Sequence, residues 1–419
     1  SFNGTARLIS RLPWLEQGGE RRKPAPWRAL LSARHKLPGF KGVLVVQPRF
    51  GIGNRLLGVA SAAALALATN RSLMVTWEDP TFAGVLDTAI RGDVQWVQLA
   101  LERGDVEEVN LEGLSAGFAD AVYQLACGVR QTAVPSVLHV RTDQFFLPLL
   151  QFQHHKAVSN NLKSGRRADP ERAVSLPREL DEWSQELLSG LFRLGPLPKQ
   201  LIHAEATRLF KDAKFILGVH VRPLMYDFER GIVPELDIKD VLNCVTAALQ
   251  FELGNGASDD GVVIFLSTPS TMVKEAFRRK FGRKVRTRYR IETDRLVSEA
   301  DLDAVVDLAL LASSDALVTS VRSTFGYVAQ SVAGVRPYIV TAVAPCSDDR
   351  CVPVDANSTK FSRGSESEPA AHEVSKRCLR AATSSPCFHR GAPLADKMPC
   401  GAVDASLRGP SHPWAPCWF

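Results

Sequence analysis

Three short segments of the chain carry side chains that could bind an anionic ligand. The first is PRFGIGNRLLG at 48–58, which follows the apolar run VLVVQ and precedes a long stretch rich in alanine and leucine. Its glycines allow a sharp turn and the close approach of backbone amides. Asn54 and Arg55 add a side-chain amide and a cation where a helix would begin. This pattern predicts that Gly53, Asn54 and Arg55 contact a bound anion.

Two other interpretations of this first segment remain open. Dinucleotide-binding enzymes carry G-x-G-x-x-G after a strand, but Leu56 stands here in place of the third glycine. The acidic pair Glu78–Asp79 follows the second predicted strand, roughly where a ribose-binding carboxylate would lie. The other interpretation is a purely structural turn, although such a turn needs neither Asn54 nor Arg55. No G-x-x-x-x-G-K-[ST] motif occurs, which argues against an ordinary P-loop enzyme.

The second segment is GVHVRPLMYD at 218–227. Arg222 comes just after a predicted strand, and a guanidinium can hold a diphosphate through two parallel hydrogen bonds. His220 lies two residues earlier on the same face of that strand, so both side chains could contact one ligand. The alternative is an internal ion pair between Arg222 and a carboxylate, with His220 as a core residue.

The third segment is VTSVRSTFGYVAQSVAG at 318–334. Ser320, Ser323 and Thr324 precede a predicted helix, and hydroxyls beside the free amides of a helix N-terminus suit phosphate oxygens. The simpler interpretation is that Ser323 caps this helix. Capping explains one hydroxyl but not the whole run.

The elements that must position these segments follow an α/β pattern. Predicted strands and helices alternate from Val43 to Trp77 and again from Phe215, which is typical of parallel sheets flanked by helices. Ligands of such sheets bind beyond the carboxyl ends of the strands, where all three segments fall. The chain of 419 residues is too long for one ordinary core. We therefore predict a stem at 1–40, an N-terminal α/β domain at 41–210, a C-terminal α/β domain at 211–345 and a cysteine-rich tail at 346–419.

Composition narrows the classes of partner. The net charge of +6 suits anionic ligands. The basic run RRKFGRKVRTRYR at 278–290 has little aromatic interleaving, so we do not expect a nucleic-acid partner. No apolar run is long enough to span a membrane. Because the chain begins with Ser, we expect an N-terminal segment, with any membrane anchor, to be missing from it.

The cysteines are unevenly placed. Cys127 and Cys244 stand apart, whereas the others crowd a tail rich in proline and serine, which predicts a disulfide framework there. A zinc site using His389 or His412 is the alternative, but no C-x-x-C pair supports it. Together with the cysteines, three Asn-x-Ser/Thr triplets favour the secretory pathway; they begin at Asn3, Asn70 and Asn357.

Taken in order, the three segments resemble the plant xyloglucan fucosyltransferase family. GIGNRLLGVASAAALALATNRSLMVTW is similar to that family's first motif and helix, and GVHVRPLMYD with DVLNC is similar to its donor-site strand and the helix that follows. LVTSVRSTFGYVAQSVAGVRPYIV is the most specific match, and PCFH at 386–389 resembles a further C-terminal signature. The resemblance covers about residues 40–345 and part of the tail.

This resemblance implies a GT-B-like fold of two Rossmann-like domains. The N-terminal domain, at 41–210, would carry the GIGNR loop and the acceptor side, and the C-terminal domain, at 211–345, would bind the donor. It implies an inverting fucosyltransferase that takes L-fucose from GDP-fucose and places it on a glycan hydroxyl, of the galactoside α-1,2 type. No metal or other cofactor is expected, and the family implies a type II Golgi membrane protein whose catalytic part is lumenal. A homodimer is a further expectation. The region expected to bind the acceptor carries no matching motif, so the acceptor glycan stays open.

By position, the resemblance assigns roles to individual residues. Arg222 would bind the diphosphate, and Asp227 and Glu229 are the nearest carboxylates by sequence that could serve as the base. The predicted donor site comprises Gly53, Asn54, Arg55, His220, Arg222, Ser320, Ser323, Thr324 and Phe325. Two other functions remain as alternatives: an NAD(P)-dependent Rossmann oxidoreductase, and a catalytically inactive relative that binds a GDP-sugar or a glycan.

Overall fold

The computed structural model describes two main β-sheets, one parallel and one mixed, with helices packed against them. The described residues are 14, 42–79, 82–88, 98–99, 102–111, 137–142, 180–222, 226–227, 231–232, 238–254, 260–288, 297–320, 323–340, 372–375 and 378–381. The predicted stem, apart from Trp14, and most of the predicted tail lie outside them. The buried Trp14 indole donates a hydrogen bond to the Leu188 carbonyl at 3.0 Å.

The strands and helices alternate from Val43 to Val75 and again from Phe215, as the sequence pattern predicts, and further strands lie between these regions. The strands are β1 Val43–Pro48, β2 Ser72–Val75, β3 Leu86–Thr88, β4 Val106–Leu111, β5 Val137–Thr142, β6 Phe192–Leu194, β7 Phe215–His220, β8 Tyr226–Asp227, β9 Gly231–Ile232, β10 Val262–Ser267, β11 Val285–Arg286, β12 Ala316–Ser320, β13 Tyr338–Val340, β14 His372–Ser375 and β15 Cys378–Arg380. The helices are α1 Ile52–Ala68, α2 Phe82–Val85, α3 Leu180–Gly190, α4 Pro196–Phe210, α5 Ile238–Leu253, α6 Thr271–Phe281, α7 Val297–Ala312 and α8 Thr324–Ala333.

The two main sheets confirm the predicted α/β class. Four parallel strands form the first sheet, in the order β2-β1-β5-β4. The second sheet has seven strands in the order β11-β10-β7-β12-β13-β15-β14. Counted from β7, its five parallel strands have the order 3-2-1-4-5 that is typical of a Rossmann sheet. The two remaining strands, β15 and β14, extend it antiparallel.

The helix α1 connects β1 to β2 and packs against both halves of the molecule. Its side chains from Leu56 to Ala66 are buried on every side, which is typical of a helix enclosed by protein. One continuous apolar core joins β1 and α1 to β7, β10, α7 and α8. The described helices include none that is both long and apolar enough to cross a bilayer. The domain boundaries at 41–210 and 211–345 stay predictions.

Part of the predicted tail belongs to the second sheet. The strand β15 pairs with β13, and Cys378 at its start forms a disulfide with Cys244 of α5. The separation of Cys244 from the tail cysteines, expected from the sequence, was therefore wrong. The pairing of β15 with β13 brings Cys378 to Cys244. At the other end of β15, Arg380 pairs with Glu252 at 3.2 Å. The other tail cysteines and the alternative zinc ligands His389 and His412 lie outside the described residues.

Arg288, near the end of the basic run, belongs to a buried charge cluster that holds α7 in place. Its guanidinium pairs with Asp303 at 2.9 Å and with Asp307 at 3.0 Å, and both aspartates lie on α7. Ser267 at the end of β10 donates to the other oxygen of Asp307 at 2.8 Å. Burial alone would lower the pKa of Arg288, but the two aspartates outweigh it and raise that pKa. The cluster therefore fastens α7 against the carboxyl end of β10.

Candidate functional site

The second and third sequence segments meet where the strand order of the seven-stranded sheet reverses. The strands β7 and β12 are hydrogen-bonded neighbours, with Thr319 beside His220, and the chain leaves them toward opposite sides of the sheet. Ligands of open α/β sheets bind in the crevice at the carboxyl ends of two such strands. His220 and Ser320 are the last residues of these strands, so both lie at this crevice.

The first segment lies at the carboxyl edge of the four-stranded sheet. Here β1 lies between β2 and β5, with which it pairs in parallel. The chain leaves β1 through Arg49 and Phe50, and the Arg49 amide donates to the Thr142 carbonyl at the end of β5 at 3.0 Å. Gly51 then begins α1.

The N-terminal turns of α1 and α8 are in direct contact. A Cβ atom on Gly53 would lie 2.6 Å from both the backbone nitrogen of Phe325 and the carbonyl carbon of Thr324. The Thr324 hydroxyl donates to the Asn54 side-chain oxygen at 2.6 Å. The second glycine of the first segment is therefore needed for the approach of α8, and this contact brings the carboxyl edges of the two sheets together.

Arg55 strengthens the same contact. Its guanidinium pairs with Asp301 of α7 at 2.9 Å, and both side chains are mostly buried. Its Nε donates to the Phe50 carbonyl at 2.6 Å, and its guanidinium carbon lies 4.9 Å from the centre of the Phe82 ring. Arg55 therefore links the β1–α1 loop to the second sheet, and its predicted contact with a donor stays a prediction.

His220 and Ser323 form the buried floor of the site. The Nε2 atom of His220 and the Ser323 hydroxyl share a hydrogen bond of 2.9 Å, and the imidazole lies 4.8 Å, centre to centre, from the Phe325 ring. Ser323 is the N-cap residue of α8, but its side chain makes no capping hydrogen bond. The simple capping interpretation was therefore wrong, because the hydroxyl is directed to His220 instead.

Ser320 connects the ends of β12 and β7. Its hydroxyl donates to the His220 carbonyl at 3.3 Å and accepts the Arg222 backbone amide at 3.1 Å. These bonds hold the chain where Arg222 leaves the sheet. The Arg222 side chain is exposed and forms no ion pair with any described residue, which does not support the internal ion pair considered from the sequence.

The predicted site residues come together, apart from the acids. Gly53, Asn54, Thr324 and Phe325 are in contact through α1 and α8, and His220, Ser320 and Ser323 form the adjoining floor. Asp227 lies in β8 opposite Gly231, and its side chain is not described; Glu229 lies outside the described residues. Their assignment as base stays a prediction.

Sequence reasoning missed two side chains that hold Arg55. Asp301 precedes the apolar part of α7, and Phe82 lies in the short helix α2. Neither stands in a motif, and only the tertiary fold brings them to Arg55. Within the described residues, no three His, Cys, Asp or Glu side chains gather as metal ligands would. The expectation of a reaction without metal stays a prediction.

Comparison with known proteins agrees with this geometry. Residues 287–358, which include β12, α8 and β13, match the family model for xyloglucan fucosyltransferase. A stretch of 40 residues is 52% identical to probable fucosyltransferase 9 of Arabidopsis thaliana. That stretch is 10% of this chain and spans only 8% of the length of that relative.

The fold also has solved counterparts. The chain resembles a mutant of Arabidopsis thaliana FUT1 in complex with GDP, with a TM-score of 0.53 and 19% identity over 92% of this chain and 84% of that one. The α-1,6-fucosyltransferase NodZ from Bradyrhizobium, soaked with GDP-fucose, gives a TM-score of 0.45 and 18% identity. That second likeness covers 72% of this chain and 94% of NodZ.

The fold is therefore α/β and GT-B-like, as predicted. The resemblance to the xyloglucan fucosyltransferase family is confirmed over residues 287–358 by the family model, and the likeness to FUT1 is one of fold.

Two glycines of the first segment provide a matched pair of substitutions. We expect Gly53→Ala to lower the free energy of unfolding by about 1–3 kcal/mol, because the new methyl group meets the backbone of α8. A Cβ on Gly51 would have nothing within 4 Å, and its φ of −65° suits any residue. Gly51→Ala should therefore change that free energy by no more than about 1 kcal/mol.

Chemical denaturation of both variants checks this expectation. Equal stability of the two variants would contradict the close contact between α1 and α8. A larger loss in Gly51→Ala than in Gly53→Ala would show that the loop, and not the helix contact, needs the glycine.

Proposed function

We propose that this protein is a fucosyltransferase that transfers L-fucose from GDP-fucose to a glycan hydroxyl. The observation that carries the proposal is the meeting of three segments where the carboxyl edges of the two sheets come together. The family match over 287–358 includes one of these segments, and the similar structure of FUT1 holds GDP.

Arg222 is the group that we assign to the diphosphate. Its exposed guanidinium leaves the sheet beside the N-terminus of α8, and Ser323 leaves the first-turn amides of that helix without a side-chain cap. A cation and free amides together oppose the negative charge that grows on a leaving nucleotide. Holding that charge at fixed groups lowers the barrier without a rearrangement of solvent.

The proposed reaction inverts the configuration at the anomeric carbon of the fucose. A single in-line displacement at the anomeric carbon requires a base that takes the proton of the acceptor hydroxyl. We keep Asp227 as the proposed base and galactoside α-1,2 transfer as the proposed reaction, both by resemblance to the family. No metal is invoked, because Arg222 and the amides of α8 could stabilise the leaving group.

The oxidoreductase alternative does not suit the packing of the first segment. In a dinucleotide fold, the second glycine allows the backbone to approach a pyrophosphate. Here the space beside Gly53 holds the backbone of Thr324 and Phe325. Leu56, in place of the third glycine, is fully buried in the apolar core. The alternative of an inactive relative that binds a GDP-sugar or glycan is decided by a turnover assay.

We further propose that the protein acts in the Golgi lumen. The Cys244–Cys378 disulfide supports an oxidising compartment, since disulfides persist there and are rare in the cytosol. The sequence triplets for N-glycosylation agree with it. A type II anchor preceding this chain and a homodimer are parts of the proposal that rest on the family resemblance alone.

The donor is tested by titration with nucleotides. Isothermal titration should show that GDP binds at least about tenfold more tightly than UDP or CMP, a difference of about 1.4 kcal/mol. Equal or tighter binding of UDP would refute the donor assignment, and binding of NADH in place of GDP would favour the oxidoreductase. GDP-fucose with a panel of glycan acceptors should then release GDP, whereas binding without release with any glycan would indicate an inactive relative.

Arg222 is tested by its effect on rate. We expect Arg222→Ala to reduce fucose transfer about a hundredfold or more, with an unchanged melting temperature because the side chain has no structural ion pair. Arg222→Lys should recover only part of the rate, since an ammonium group cannot form the two parallel hydrogen bonds of a guanidinium. Arg336, also exposed but at the opposite edge of the sheet, offers the matched control Arg336→Ala. Near-normal transfer by a folded Arg222→Ala would show that the donor site lies elsewhere.

A further inference from the structure

An aromatic side chain stands exposed at the point where the first sheet meets the site. Phe50 is 58% exposed, although it directly follows β1 and precedes the buried turn of α1. Large aromatic rings are usually buried, and the described exposed apolar residues include few of this size. Neither packing nor the proposed binding of the diphosphate accounts for this ring.

The backbone holds Phe50 in an uncommon conformation. Its φ is +63°, in the left-handed region that is unfavourable for a bulky residue. The Phe50 carbonyl accepts the Arg55 Nε at 2.6 Å, and Arg55 is in turn fixed by Asp301. The backbone of Phe50 is therefore tied through Arg55 to Asp301 of α7, so the loop that carries the ring is fixed relative to that helix.

Two charged residues follow the carboxyl ends of β1 and β2, the edge of the first sheet at which Phe50 also lies. Arg49 pairs with Glu78 at 2.8 Å, and both side chains remain partly exposed, at 35% and 53%. Trp77, next to Glu78, packs against the core and meets Phe82 edge to face. Arg49, Phe50 and Glu78 thus form a rim at the carboxyl ends of β1 and β2, which we call the β1–β2 rim.

We propose that the β1–β2 rim is the acceptor-sugar subsite and that a neutral hexopyranose stacks on the Phe50 ring. This inference rests on the proposed function and specifies the half of the reaction that the sequence left open. An aromatic face suits the C–H face of a pyranose ring, and the paired Arg49 and Glu78 offer donors and acceptors to its hydroxyls. Because the two charges cancel, the rim favours neutral sugars over uronic acids.

The position of the rim agrees with this role. It lies at the carboxyl edge of the first sheet, and the donor crevice lies at the carboxyl edge of the second sheet, where the strand order reverses. The contact of α1 with α8 brings these two edges together. An acceptor on the rim would thus face a donor held at the crevice, as transfer requires.

The test is a titration of the full chain with oligosaccharides and no nucleotide. The neutral probes are a galactose-terminated tetrasaccharide and cellotetraose, and the anionic probe is tri-galacturonate. At least one neutral probe should bind, and more tightly than tri-galacturonate. Phe50→Leu, which removes the ring but keeps an apolar side chain, should weaken that binding about tenfold. Phe50→Trp should stay close to the native affinity.

Two further variants keep the outcome clear. Phe50→Asn also removes the ring and tolerates a positive φ, so it should fold and lose the same affinity. Phe251 is 51% exposed on α5 of the other sheet, and Phe251→Leu should leave sugar binding unchanged. The GDP affinity of the Phe50 variants should remain native, and their melting temperatures should not fall, because the side chain is mostly exposed.

The results separate this inference from the proposed function. If the protein does not bind GDP but binds sugar in a way that depends on Phe50, sugar binding at the β1–β2 rim is supported and the proposed fucosyltransferase function is refuted. GDP binding with no affinity for either neutral probe would refute the rim and leave the donor proposal standing. Equal affinities in the native protein and in folded Phe50→Leu and Phe50→Asn would also refute the rim, as would tighter binding of tri-galacturonate.

Discussion

The rest of the structure depends on the contact between the first turns of α1 and α8. Gly53 lies against the backbone of Thr324 and Phe325, closer than any side chain would allow. Around this contact, Asn54 bonds to Thr324 and Arg55 pairs with Asp301. Because these bonds connect the two sheets through their carboxyl edges, a shift of α1 would move the crevice and the β1–β2 rim relative to each other.

This contact explains why residues far apart in sequence form one site. In both sheets a functional segment follows the carboxyl end of a parallel strand, and ligands of such sheets bind beyond these ends. The shared apolar core behind α1 and α7 holds the two edges in place. The buried cluster of Arg288 with Asp303 and Asp307 supports α7 from the other side. The chemistry assigned to Arg222 therefore depends on packing as well as on its own charge.

Local patterns predicted the elements that these segments belong to, but not their partners. Short apolar runs predicted β1, β7, β10 and β12, because a buried parallel strand is apolar on both faces. The strands β4 and β5 were missed, since VEEVNL and VLHVRT are mixed in polarity and lie in a region with weak periodicity. The pairing of Cys244 with Cys378 and of Arg55 with Asp301 depends on contacts between distant segments. No spacing along the chain encodes such pairs.

Hydrogen exchange with and without GDP tests most directly the claim that the donor binds where the two sheets meet. The first amides of α1 and α8 have no partners within their helices, so their exchange depends on what covers them. The account predicts that saturating GDP slows exchange in residues 51–56, 215–222 and 323–328 together. Protection confined to one sheet, or located elsewhere while GDP is bound, would contradict it.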